Sequence, residues 1–332
     1  MPNPDNRFAA LLAITAALGA AVASGCGSDD DGNGDSSAAR PAPAPAEFPA
    51  IDGRSLEQVL SAASAQGPVV APSAQVLRVG ENRFPFGVFT VEREPITTAE
   101  VAIYAAPRDL SGPAKGPFPA RIEDLSTEPA FRAQSTAEDP DAASVIYVSD
   151  LPLDRPGKWA FAALIKDGDS YSGSLLPTPG LVGEFNPPAV GERAPRVSTP
   201  VADEVADISE IDTRVPPSTM HEEDLEDVLG RKPVVLLFAT PALCQTRICG
   251  PVVDVAEQVK REFGDRVAFI HQEIYNDNDA SKGSRPQVEA YRLPSEPWLF
   301  VIDREGVIRT AIEGAFSVEE LERAVSDVAE PT

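Results

Sequence analysis

The sequence predicts two folded parts of different class, an all-β part followed by an α/β part, and three observations predict it. The chain has 332 residues with 42% hydrophobic composition, which suits about two domains of roughly 100–200 residues each. Short runs rich in Val, Ile, Phe and Tyr, broken by Gly, Pro, Asp and Ser, fill the stretch from Gln75 to Leu176 and have the texture of strands. From Glu222 onward, apolar runs of strand length alternate with segments of helical period.

Twelve of the 33 prolines crowd into residues 41–49, 177–200 and 215–217, where they read as tether and linker rather than element interior. The formal net charge is -24, from 52 acidic against 28 basic residues. No stretch gathers Lys and Arg into a patch that could neutralise phosphates, so nucleic acid is excluded as a partner.

At the start, Arg7 precedes an uncharged, Ala-rich run from Phe8 to Gly25, the cationic start and apolar middle of an export signal. It closes with Ala23-Ser24-Gly25-Cys26. That ending resembles the lipobox of bacterial lipoproteins, with Ala23 where the family prefers Leu. The resemblance implies a signal peptide over 1–25, acylation of Cys26 and an extracytoplasmic protein anchored by lipid to the bacterial cell membrane. An ordinary secreted protein with a spare thiol is the alternative. Residues 26–50, acidic and then Pro-Ala-rich, have too little apolar surface to offset the entropy of ordering and are expected to be a disordered tether.

Residues 51–185 are expected to form the β part. Ser55-Leu56-Glu57-Gln58 predicts a capped short helix. Strands are expected at 75–79, 84–91, 100–105, 130–134, 144–149, 158–166 and 171–176. Their number and size match the immunoglobulin-like class. Pro156-Gly157-Lys158-Trp159 resembles a turn and strand of immunoglobulin-like domains in bacterial envelope proteins, which implies a β-sandwich with Trp159 as a core plug. This part holds no His and no Cys, so a binding or spacer role is expected.

Residues 186–221 are expected to be a linker and lead-in segment, and 222–332 the chemistry-bearing domain. Helix 222–229, strand 234–239, helix 251–263, strand 267–272, helix 285–291, strands 298–302 and 307–313, and helix 318–328 follow in order. Val252, Val255, Ala256, Val259 and Phe263 share one helical face, as do Val318, Leu321, Val325 and Val328. Asp303-Arg304-Glu305-Gly306 marks a hairpin turn.

Cys244 and Cys249 follow the first of these strands and are separated by four residues. In a regular helix, residues five apart rise about 7.5 Å and lie about 140° apart around the axis, beyond the ~7 Å that a disulfide spans between Cα atoms. If they bridge, Cys244 must lie in the loop and Cys249 in or just before the first helical turn. Pro251 supports a helix start near Gly250, with Thr246 as an alternative cap. Either way a sulfur sits near the positive end of a helix dipole, where a thiolate is favoured.

The β-α-β-α-β-β-α order, the cysteine pair, Val190-Gly191-Glu192-Arg193-Ala194-Pro195 ahead of it and Ser295-Glu296-Pro297-Trp298 after it resemble the thioredoxin-like superfamily, close to its extracytoplasmic thiol-disulfide oxidoreductases. The fold expected is therefore an α/β thioredoxin-like C-terminal domain behind an all-β immunoglobulin-like sandwich. The resemblance implies Cys244 as nucleophile, Cys249 as resolving thiol, Pro297 as a cis proline facing them and Glu296 as the residue before it. The partners it implies are thiols and disulfides of envelope proteins.

The spacing departs from the usual Cys-x-x-Cys, and the strand 234–238 lacks the buried acid that family members often carry, so proton transfer would fall to Glu296, His271, Glu273 or water. Besides a peroxidase, suggested by Thr240-Pro241 ahead of Cys244 with Arg247 or Arg285 as the activating residue, two alternatives stand beside the oxidoreductase. One is a non-catalytic tethered binding module with a structural Cys244–Cys249 disulfide. The other is a copper-handling protein using Cys244, Cys249 and His271. No cofactor is otherwise expected.

Overall fold

The computed structural model describes residues 39–108, 113–177, 180–183 and 185–329. The proposed export signal and Cys26 lie outside the described residues. Residues 39–50, expected as the end of a flexible tether, run along the β part. Arg40 bridges Ile122 in antiparallel fashion, and Phe48 is buried among strand residues. One aromatic side chain with a pocket to fill is enough to fix the end of an otherwise polar segment.

The first half contains β1 (Ala65–Gln66), β2 (Val69–Pro72), β3 (Gly80–Phe89), β4 (Glu100–Pro107), β5 (Lys115–Pro119), β6 (Arg121–Asp124), β7 (Val145–Leu153), β8 (Gly157–Asp167), β9 (Ser170–Leu175) and β10 (Gly180–Val182), with helices α1 (Leu56–Leu60) and α2 (Gln134–Glu138). One sheet runs β1-β9-β8-β4-β5 with β10 on β8, and a second runs β2-β3-β7-β6. Phe84, Phe86 and Val88 of β3, Ile103 of β4, and Trp159 and Phe161 of β8 share one core between them. The other face of β4 and β8, with Tyr104 and Leu164, is covered by Leu56 and Val59 of α1. That second cover explains why β4 is buried on both faces. Ser55 caps α1 and Gln58 completes the capping box, as the sequence predicts.

Two expected strands are absent. Gln75–Val79 has no strand beyond a single bridge at Leu77, because the Gln75 and Val76 amides donate at 2.8 Å to the Glu313 carboxylate instead of a ladder. Residues 130–134 form a turn into α2, because the Ala133 amide donates to Asp254 and the Phe131 carbonyl accepts from Arg214. In both places a charged side chain from the second half captures backbone that the composition alone assigns to a sheet.

The second half contains α3 (Leu225–Val228), β11 (Val234–Phe238), α4 (Cys249–Phe263), β12 (Ala268–Gln272), α5 (Pro286–Tyr291), β13 (Trp298–Ile302), β14 (Ile308–Glu313) and α6 (Val318–Ala329). The sheet order is β12-β11-β13-β14, with β11 parallel to β12 and antiparallel to β13. This is the thioredoxin-like arrangement. Val235 and Leu237 of β11 pack with α4 and α6, while Val234, Leu236 and Phe238 pack with α3 and α5. A central strand covered on both faces needs an unbroken apolar run, which Val234–Phe238 supplies. On α4, Val252, Val255, Ala256, Val259 and Phe263 are buried, and each large side chain stabilises the fold by roughly 1.5–3 kcal/mol.

Ile146 and Val148 of β7 join the α4–α6 core, so the described residues make one compact unit. The lead-in residues 191–194 pair with the hairpin of β13 and β14, Gly191 and Glu192 bonding Ile308 and Ala194 bonding Gly306. The expected turn at Asp303–Gly306 closes that hairpin, with Gly306 at φ 81°.

Candidate functional site

Cys244 and Cys249 form a disulfide with Cα atoms 5.9 Å apart. Cys249 is the first residue of α4, while Cys244 lies in the turn that follows β11, the division that the spacing requires. The Cys244 amide donates to the Thr240 carbonyl at 3.1 Å, and its Sγ lies 3.2 Å from Thr246 Oγ1. Arg247 takes a left-handed conformation, φ 58°, which folds the chain back between the two cysteines. Thr246 does not cap the helix; Ile248 holds that position without a side-chain bond. Cys249 is fully buried and Cys244 is 5% exposed.

The cover over the pair comes from the first half. The turn Asp139–Ala143, which follows α2, contacts the loop between the cysteines: the Arg247 guanidinium lies 3.2 Å from Asp139, and the Ala143 amide donates to the Arg247 carbonyl. A crevice of about 20 Å³ remains between them, lined by Ser135, Thr136, Asp139, Pro241, Arg247 and Gly250. A Cβ placed on Gly250 would meet Thr136 Oγ1 at 2.9 Å. Glycine is thus what lets α2 approach the first turn of α4.

The Glu296–Pro297 peptide is cis, and Pro297 is buried where it leads into β13. Glu296 accepts a 3.4 Å bond from the Tyr275 hydroxyl. Burial pushes its carboxyl above the ordinary glutamate range, and the Tyr275 bond opposes this only in part.

Beneath the cysteine loop the segment 212–221, rich in proline and expected as linker, carries a buried polar cluster. Asp212 Oδ2 lies 3.0 Å from His221 Nε2 and 3.5 Å from His271 Nδ1, and it also accepts from the Ser218 amide at 2.6 Å. His271, on β12, donates from Nε2 to the Ala239 carbonyl at 3.1 Å. Burial alone would push Asp212 up, but the charge of His271 and the bonds from His221 and His271 hold it well below the usual carboxylate range. Burial likewise opposes a charged His271, and the Asp212 and Glu273 carboxylates reverse that and raise it. His221 is lowered, burial dominating.

Glu273 is 1% exposed and accepts from the Thr213 amide and hydroxyl at 2.8 and 2.6 Å. The same hydroxyl accepts from the Ala242 amide in the cysteine loop at 3.1 Å. Arg214 pairs with Asp254 of α4 at 2.9 Å and also donates to the carbonyls of Phe131 and Pro216.

Of the residues that the sequence singles out, Cys244 and Cys249 are joined. Pro297 and Glu296 open β13. Both ring nitrogens of His271 already have partners, turned toward Ala239 and toward Asp212 and Ser218. Asp212, Arg214 and Asp139 escape the sequence reading. The first two sit in a proline-rich stretch that resembles a linker, and no periodicity marks residues held by long-range polar contacts.

No protein-family model and no curated protein matches the sequence. Among solved structures, the chain is similar to the protein named as the thiol:disulfide interchange protein DsbE from Chlorobium tepidum, at 17% identity and a TM-score of 0.32, over 43% of this chain and 99% of that one. A thiol:disulfide interchange protein of the thioredoxin family from Chlorobium tepidum TLS gives 17% identity and a TM-score of 0.31 over the same shares, 43% and 99%. The thioredoxin-like superfamily protein SPOA0173 gives 15% identity and a TM-score of 0.30, again over 43% of this chain and 99% of that chain.

Proposed function

We propose that the chain is a thiol-disulfide oxidoreductase of the bacterial cell envelope, acting on protein thiols and disulfides and held at the outer face of the membrane by lipid on Cys26. The observation that carries the chemistry is the Cys244–Cys249 disulfide across the N-terminus of α4. A helix start favours a thiolate there by charge and by free backbone N–H groups. In the reduced protein, the Cys244 thiolate attacks one sulfur of a substrate disulfide and expels the other as a thiolate. The Cys249 thiolate then attacks Cys244 Sγ, breaks the mixed disulfide and releases the second substrate thiol. The products are a reduced substrate and the bonded pair. Cys244 takes the attacking role because it is the more exposed of the two. The first half, read as an immunoglobulin-like sandwich, would serve as spacer and as the cover described above.

A second reading, a structural disulfide in a non-catalytic module, is favoured by the burial of both sulfurs. The reduction potential separates the two. A value between about -270 and -120 mV belongs with exchange proteins, and one below about -300 mV with structural disulfides. Reduction of a model disulfide by the full chain, absent in Cys244→Ser, is the companion assay. Equal activity in that variant sinks the oxidoreductase reading.

A further inference from the structure

The cluster below the cysteines has a composition that its proposed exchange chemistry does not use. Asp212, His221 and His271 each present a ligating atom, and these lie within 4.8 Å of one another. Their exposures are 1%, 3% and 1%. The 3.5 Å from Asp212 Oδ2 to His271 Nδ1 is the spacing of two ligands held at ~2.0–2.2 Å from one tetrahedral ion, while the 3.0 Å to His221 Nε2 is a hydrogen-bond distance that must open by about 0.4 Å to admit the ion. The Ala239 carbonyl accepts from His271 Nε2, which fixes the ring plane and leaves Nδ1 facing Asp212 and the Ser218 hydroxyl; binding an ion there would displace the Nδ1 proton.

A second, independent observation is the surplus of buried polar capacity. His221 Nδ1 and Glu273 Oε2 have no hydrogen-bond partner, and buried polar atoms normally have one. Charge points the same way. Two buried carboxylates, Asp212 and Glu273, face two imidazoles whose ring centroids are 5.3 Å apart. Arg214 is committed to Asp254, and the charge of Arg285 already acts on Glu273. Protons on both rings would set like charges side by side, whereas one divalent ion would balance Asp212 with both rings neutral.

We propose that Asp212, His221 and His271 bind a divalent transition-metal ion of the zinc class, separate from the cysteines. Two imidazoles and one carboxylate suit borderline ions rather than soft or alkaline-earth ones. Because the ligands are buried, the ion has no face open to a substrate. Its role is to pin the 212–221 segment to β12 beneath the cysteine loop.

The test uses the full chain with the disulfide intact, produced with zinc and purified without chelators. Elemental analysis should give one zinc per chain. Replacement with Co2+ should give tetrahedral ligand-field bands without thiolate-to-cobalt charge transfer. His271→Gln and His221→Gln should each lose the ion, and Cys244→Ser/Cys249→Ser should keep it. Nitrogen NMR of the histidine rings in the unmutated chain supplies a readout that does not depend on the variants folding: metal loading should move His271 Nδ1 and a His221 ring nitrogen. No bound metal, a thiolate charge-transfer band, retention in either histidine variant, or unmoved ring resonances would each overturn the site.

Discussion

Asp139 and Arg247 form an ion pair at 3.2 Å, and this contact ties the first half of the chain to the five-residue step between the two cysteines. Arg247 is held in a left-handed conformation at the point where the chain turns back. The loop that carries the disulfide is therefore held by a neighbour that sequence order places more than a hundred residues away.

Loosening that contact should expose the sulfurs. Both partners are partly solvated, with side-chain exposures of 53% and 23%, so the pair contributes on the order of 0.2–1 kcal/mol. Asp139→Asn is expected to leave the melting temperature almost unchanged and to speed reduction of the disulfide by a soluble thiol about 1.4- to fivefold, the rate equivalent of that energy. An unchanged reduction rate would remove the turn Asp139–Ala143 from any gating role.

Arg214 and Asp254 are buried together at 2.9 Å. Arg214→Met should destabilise the chain by about 3–5 kcal/mol, because it leaves Asp254 uncompensated. The double change Arg214→Met/Asp254→Leu should recover most of the loss, since neither charge is then stranded. Urea unfolding of both variants measures this, and equal losses in the two would refute it.

Glu296 carries a carboxyl that burial raises. A raised acid binds its proton more tightly in the folded state, so its contribution is most favourable below the ordinary glutamate value of about 4.3 and declines as pH climbs through the folded value. Glu296→Gln should match the parent chain near pH 4 and become progressively the more stable of the two toward neutrality. Melting curves across pH check this, and a constant difference between the two proteins would count against it.

The two halves should unfold together. Arg83 of β3 makes a two-pronged pair with Glu320 of α6 at 2.8 and 2.7 Å and also donates to the Ala315 carbonyl. Arg83→Met is expected to cost about 1.5–3 kcal/mol, as loss of charge-assisted bonds does. A single transition should persist in calorimetry. Two separated transitions in the parent chain would show that the shared core around Ile146 and Val148 does not couple the halves.

Sequence alone determined the α/β half nearly element by element. Its signals are local: an unbroken apolar strand at Val234–Phe238, helical stripes on α4 and α6, a turn at Asp303–Gly306, and a cysteine spacing that forces one sulfur out of the helix. Each depends on residues only a few positions apart, and periodicity reads such distances directly. Tertiary structure decided the rest. The backbone of 75–79 and 130–134 left its expected strands because Glu313, Asp254 and Arg214 captured its polar groups. Asp212 and Arg214 became buried because His271 of β12 and Asp254 of α4 supplied their partners. Those contacts join residues that composition treats as unrelated, and a buried charge finds its partner through space rather than along the chain.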